Sequence, residues 1–127
     1  MKDFTLYPEA LELKQLGFDE PCLGFYERNQ ELIIQECLIT DFHSDSLQCV
    51  APTYSQAFRW FREKYNLYCF TLRQVGINTS DIFFISSYYK GKKGNSSMNT
   101  CIPSKTYEEA ELACLKKLIE IVKENQK

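Results

Sequence analysis

The segment TYEEAELACLKKLIEIVKE, Thr106 to Glu124, constrains the fold more than any other. At helical spacing Ala110, Cys114, Leu118 and Ile121 form one apolar stripe, and Leu112, Leu115, Ile119 and Val122 form the next. Two adjoining stripes make a face too broad for a coiled-coil seam, so this helix calls for a sheet to cover it. Thr106 and Glu109 stand three apart, as in a capping box, which fixes where the helix begins. The carboxylates Glu108, Glu109 and Glu111 then fall in its first turns, where the helix dipole favours negative charge without any acid–base role.

The strands to meet that face lie just upstream. LYCFTLRQ, DIFFISSYY and a shorter SMNTCIP read as three antiparallel strands, and KGKKGNS between the last two, with two glycines and several charges, suits a hairpin loop. They follow a second helix, TYSQAFRWFREKY, again opened by a capping box, Thr53 with Gln56. TYSQAF and TYEEAE share this capping chemistry, but too little else matches to make a repeat. Nearer the N-terminus, Pro8 suits a first helical turn, Ala10, Leu13 and Leu16 follow at helical spacing, and Gly17 can take a left-handed cap. CLGFYERNQELIIQEC reads as a hairpin turning through Arg28, Asn29 and Gln30, and LQCVAP as a third strand ending at Pro52. The order αβββαβββα predicts an α+β fold, an antiparallel sheet packed by helices, and 127 residues suit one domain.

Charge is uneven along the chain. Residues 1–50 hold three Lys or Arg against ten Asp or Glu, residues 51–104 hold seven against two, and the remainder balances at five each. An acidic half and a basic middle can steer a charged partner, or can neutralise each other in the fold. The start MKDFTLYPEAL has no apolar run behind a basic residue and the chain has no stretch of about 18 apolar residues, which predicts neither a signal peptide nor a membrane span and places the protein in the cytoplasm. Cys22, Cys37, Cys49, Cys69, Cys101 and Cys114 lack CxxC spacing and lie mostly in apolar runs, which predicts free, buried thiols.

On the wheel of the second helix Tyr54, Ala57, Phe58, Phe61 and Tyr65 face the core, while Ser55, Arg59, Arg62 and Asn66 face outward. Trp60 falls at the flank, where an indole can bury its body and expose its edge. Arg59, Arg62 and Lys64, joined in space by Lys90, Lys92 and Lys93, would form a basic patch; the plainer alternative is solvated charge, with Arg59 and Glu63 pairing across one turn. Catalysis finds little support. The sole histidine, His43, stands between Asp41 and Asp45 in a polar loop, and a metal or proton-transfer site needs further groups converging from elsewhere. GKKGNSS lacks the spacing of a phosphate loop. The expectation is a non-enzymatic protein without metal or cofactor.

From Thr53 onward, helix, three strands and helix resemble a double-stranded RNA-binding domain, with SKTYEEAELACLKKLIE similar to that family's second helix. That family grips RNA with lysines at the start of this helix and a Gly-Pro-x-His loop; here Lys105 is followed by Tyr107, Glu108 and Glu109, and the loop reads GINTSD. An acidic helix start repels phosphates, so the resemblance implies the fold more than the RNA contact. ALELKQLGFDEP, APTYSQAFRWFREKYNL and TYEEAELACLKKLIEIVKE together resemble small proteins of phages and integrative elements of Bacteroidota. That resemblance implies a protein that binds and modulates a host protein or ribonucleoprotein, with an anti-CRISPR-like inhibitor of an RNA-guided nuclease as its sharpest form. Acidic Glu27, Glu31, Glu36, Asp41 and Asp45 could occupy a basic nucleic-acid channel, or Arg59, Trp60, Arg62, Lys64, Lys90, Lys92 and Lys93 could meet a guide RNA. The alternative is direct RNA binding through Arg59, Arg62, Lys90, Lys92 and Lys93, and an enzyme centred on His43 ranks last.

Overall fold

The computed structural model describes residues 3–39, 47–76, 82–91, 99–101 and 103–125. Among them the expected order appears: α1 (Tyr7–Gln15), β1 (Cys22–Glu27), β2 (Leu32–Ile39), β3 (Leu47–Ala51), α2 (Tyr54–Tyr65), β4 (Leu67–Val75), β5 (Ile82–Lys90), β6 (Asn99–Thr100) and α3 (Tyr107–Asn125). The fold is α+β, with the strands divided into two antiparallel three-stranded sheets, β2-β1-β3 and β4-β5-β6. The chain forms two compact units, Met1–Ala57 and Phe58–Lys127.

In the first unit Pro8 lies in the opening turn of α1 and the helix stops at glycine. Gly17 takes φ 103°, its N–H donates to the Lys14 carbonyl at 3.0 Å, and the Phe18 N–H donates to the Leu13 carbonyl at 2.9 Å. These two bonds satisfy carbonyls that the helix end leaves open, which is why the glycine is placed there. The β1–β2 turn closes through Gln30 at φ 67°, with Gln30 N donating to Glu27 O and Asn29 Oδ1 accepting from Glu31 N. β1 pairs Gly24 with Ile34 and Tyr26 with Leu32 on one side, and Gly24 with Ala51 and Tyr26 with Cys49 on the other. Paired residues share a face, so Tyr26, Cys49 and Ala51 gather with Phe4 and Ala10 in one cluster. Phe25, Ile39 and Leu47 form a second. The Lys14 ammonium, donating to the Gln48 carbonyl at 2.6 Å, ties α1 to β3.

In the second unit β4 and β5 pair in unbroken register from Leu67↔Lys90 to Val75↔Ile82. β6 adds Ser87↔Thr100 and Tyr88↔Asn99, and the chain then continues along β5, with Phe84 and Ser104 exchanging backbone hydrogen bonds. As the two apolar stripes require, α3 packs on β5 and β4, burying Ala110, Cys114, Leu115, Leu118, Ile119 and Val122. Both expected helix starts are capped: Thr53 Oγ1 accepts from Gln56 N at 3.2 Å and Thr106 Oγ1 from Glu109 N at 3.1 Å. Thr53, Gln56 and Pro21 belong to the first unit, where the Gln56 side chain also donates to the Pro21 carbonyl at 2.9 Å.

Six free thiols were expected, and this is corrected at two positions. Cys69 of β4 and Cys114 of α3 are joined in a disulfide, because Cys69 points to the helix-covered face and Cys114 lies on the buried stripe of the helix. Of the four free thiols Cys22 and Cys49 are buried, Cys101 is half-buried and Cys37 is exposed.

Candidate functional site

Two surfaces carry the residues singled out by sequence. The first is the end of the second unit where α2 hands over to β4. Asn66 follows the helix at φ 57°, and its N–H donates to the Arg62 carbonyl at 3.1 Å. Leu67 then begins β4 opposite Lys90, and Gly91 N donates to Asn66 O at 2.8 Å. This connection brings exposed Lys90 to the end of α2 that carries exposed Arg62 and Lys64, as the basic-patch reading requires of those three. One rung along the ladder, Tyr68 and Tyr89 stack with ring centroids 5.2 Å apart and planes 10° from parallel. Arg59 is exposed one turn earlier on α2. Lys92 and Lys93 lie outside the described residues.

Trp60 requires a correction. Instead of showing an edge to solvent it retains 4% of its surface. Its ring meets Phe61 and Tyr65 nearly at right angles, at 5.1 and 5.3 Å, and the Lys64 ammonium covers it at 5.1 Å. The buried arc of α2 is Tyr54, Ala57, Trp60 and Phe61, with Phe58 and Tyr65 only half-buried. A wheel centred between Phe58 and Phe61 therefore misjudges the arc, whose centre lies nearer Ala57. Trp60 anchors the helix and is not presented to a partner.

The second surface is the acidic hairpin of the first unit. Glu31 and Glu36 are exposed and Glu27 is half-exposed, Glu27 and Glu31 standing on either side of the turn and Glu36 farther along β2. Asp41, Asp45 and His43 lie outside the described residues. Sequence reading missed what accompanies these carboxylates: Ile34 and Leu38 of β2 are 41% and 64% exposed, and Leu23 of β1 is 42% exposed. Among the described residues β2 pairs with β1 alone, so it forms an edge of its sheet. The register between β1 and β2 shifts between Cys22 and Gly24, in the region that holds Leu38. The sequence alternates too weakly through LIIQECLI to reveal which of these apolar residues would face outward.

A third feature lies on the second unit. Tyr88, Thr100, Cys101, Ala113, Lys116, Lys117 and Glu120 line an open cleft of about 390 Å³ between the β5–β6 edge and α3. Lys117 pairs with Glu120 at 3.6 Å. Among the described residues no group of three or more His, Cys, Asp or Glu is placed to hold a metal, and no helix is long and apolar enough to cross a membrane.

Comparison with known protein families, with curated proteins and with solved structures finds no match for this chain.

Proposed function

We propose that this chain is a non-enzymatic binding protein of the host cytoplasm that modulates a host protein by docking along the edge of β2. The observation that carries this reading is the combination on one edge strand of exposed apolar Ile34 and Leu38 with exposed Glu36, and with exposed Glu31 in the turn just before it. Natural sheets usually protect their edges with lysine, proline or a cover, because an open edge with apolar side chains recruits another chain. Here the edge carries acid in place of lysine, so the complementary partner has an apolar strip bordered by Arg or Lys. Backbone pairing would supply affinity and the alternate side chains specificity. The likeness to phage and integrative-element proteins supports a defence nuclease as the partner, since an RNA-guided nuclease holds its nucleic acid in a basic channel.

A tagged-protein pull-down from bacterial lysate, with and without nuclease, tests the reading. A single protein partner that survives nuclease, and is lost with Leu38→Lys, is the expected result. Capture that depends on nucleic acid would overturn it.

A second reading, direct RNA binding, has its own observation: the Leu67↔Lys90 rung sets exposed Lys90 at the start of β4, close in the chain to the end of α2 that carries exposed Arg62 and Lys64. Exposed lysine and arginine side chains suit the phosphate backbone of nucleic acid. Such binding would weaken steeply with salt, and no shift of RNA at low salt would dispose of it.

A further inference from the structure

Two long strands of the chain are paired on one side alone. Among the described residues β2 pairs only with β1 and β4 only with β5, so each forms an edge of its own sheet. An open edge offers unpaired N–H and C=O groups to any strand that fits it. The distal part of β4 runs Leu72, Arg73, Gln74, Val75, and all four residues are exposed. Arg73 thus stands between two exposed apolar side chains, which is the chemistry that the acidic, apolar edge of β2 calls for.

The phase of the ladder hydrogen bonds shows which backbone groups face the open sides. Gly91 N donates to Asn66 O at 2.8 Å, and alternation along the β4–β5 ladder then turns the N–H and C=O of Tyr68, Phe70, Leu72 and Gln74 toward β5. Cys101 N donating to Ser86 O agrees with this phase, because the backbone of Ser86 is then turned toward β6 and away from its β4 partner Thr71. The backbone groups of Arg73 and Val75 therefore point to the open edge. In the β1–β2 hairpin Glu27 N donates to Glu31 O at 3.1 Å, which turns the backbone of Ile33 toward Phe25 and that of Ile34 outward. With β2 and β4 set antiparallel and Ile34 opposite Val75, outward groups meet outward groups. The same register brings Gln35 opposite Gln74, Glu36 opposite Arg73 and Cys37 opposite Leu72, so apolar meets apolar, amide meets amide and acid meets base. Like edges lack this match: β2 has no cation to offer a second β2, and β4 has no carboxylate to offer a second β4.

We propose that the β4 edge of a second copy of this chain pairs with the β2 edge, joining β4-β5-β6 of one copy to β2-β1-β3 of the other in one antiparallel sheet. The inference rests on the reading of β2 as a docking edge and adds its regulation. A bacterial partner and the second copy compete for the same strand, so self-association closes the edge and dilution opens it. Each copy carries one edge of each kind, which makes the contact heterologous: it closes into a ring or propagates from copy to copy.

Sedimentation velocity of the purified full chain over a series of protein concentrations tests the pairing. Wild type should pass from monomer to larger species as concentration rises. Arg73→Glu and Glu36→Arg should each weaken association by about tenfold, since like charges then stand opposite one another across the two strands. An equimolar mixture of these two variants should associate again, as should the protein carrying both substitutions, because each restores a rung of opposite charge. Glu36 and Arg73 are exposed, so unchanged urea midpoints verify that the variants fold. A wild type that stays monomeric, association that survives Arg73→Glu, or a mixture that associates no better than its components would each overturn the proposal. The pull-down separates this pairing from the docking reading. Arg73→Glu should still capture the bacterial partner, because β4 takes no part in that contact. Association with these charge effects but no captured partner supports the pairing and removes the host partner; capture of a partner by a wild type that stays monomeric removes the pairing alone.

Discussion

Asn66 and Gly91 hold one another at the point where α2 becomes β4: Gly91 N donates to Asn66 O at 2.8 Å, and Asn66 Nδ2 donates back to Gly91 O. A Cβ added at Gly91 would stand 2.8 Å from Tyr68 Cε2 and 2.9 Å from Asn66 Oδ1. Both are closer than side-chain carbons approach, and neither neighbour is free to move. The Tyr68 ring is stacked on Tyr89, and the Asn66 side chain is held by its own hydrogen bond. Gly91→Ala should therefore destabilise the protein by about 1–3 kcal/mol, the usual cost of overpacking, read as a lower urea midpoint at unchanged slope. Wild-type stability in this variant would show that the two residues do not interlock.

The helix caps give a prediction with a different physical origin. Thr106 Oγ1 accepts from Glu109 N at 3.1 Å, satisfying an amide that α3 cannot satisfy internally. Thr106→Ala should cost about 1 kcal/mol, and Thr106→Ser should recover most of the loss. Equal unfolding midpoints for the alanine and serine variants would mean that the hydroxyl contributes nothing.

What the sequence made legible follows physical range. Helix starts, the Gly17 stop and the Arg28–Gln30 turn depend on groups a few residues apart, and the structure places each where those groups predict. The broad apolar face of α3 also announced its sheet. Contacts at long range were not legible. Cys69 and Cys114 meet across a sequence separation of 45, and nothing in their spacing distinguishes them from Cys22 or Cys49. Trp60 was misplaced because the buried arc of α2 is set by what packs against it and not by the sequence of the helix alone. Exposure of Ile34 and Leu38 depends on β2 lying at a sheet edge, a matter of strand order that LIIQECLI cannot encode.

Tyr26 ties stability to alkaline pH. Its hydroxyl donates to the Thr5 carbonyl at 2.7 Å inside the first unit. Burial, and then the neighbouring Cys49 thiol and Glu9 carboxylate, raise its pKa above the ordinary 10.0. The folded protein thus holds this proton more tightly than the unfolded chain does. The stabilisation is fully present below pH 10 and is lost as pH rises from there through the folded value. Tyr26→Phe should cost about 1–2 kcal/mol at neutral pH through the lost buried hydrogen bond. Above pH 10 the gap between wild type and variant should narrow, as urea titrations at stepped pH would reveal. A gap that stays constant or widens would contradict the assignment.

The two candidate surfaces can be separated by substitutions that leave the fold alone. Leu38 is 64% exposed, so Leu38→Lys should change stability by no more than about 0.5 kcal/mol, while placing a cation on the edge strand that ought to accept another chain. Arg62 and Lys90 are exposed as well, and Arg62→Glu with Lys90→Glu reverses the charge at the end of α2. If β2 is the docking edge, the lysine variant loses its protein partner in a pull-down and the double glutamate variant keeps it. If the basic end binds RNA, the double variant loses RNA retention at low salt and the lysine variant keeps it, because removing cations reduces the counterion release that drives such binding. Retention of the protein partner by Leu38→Lys, with the fold verified by an unchanged urea midpoint, would remove the β2 edge as the interface.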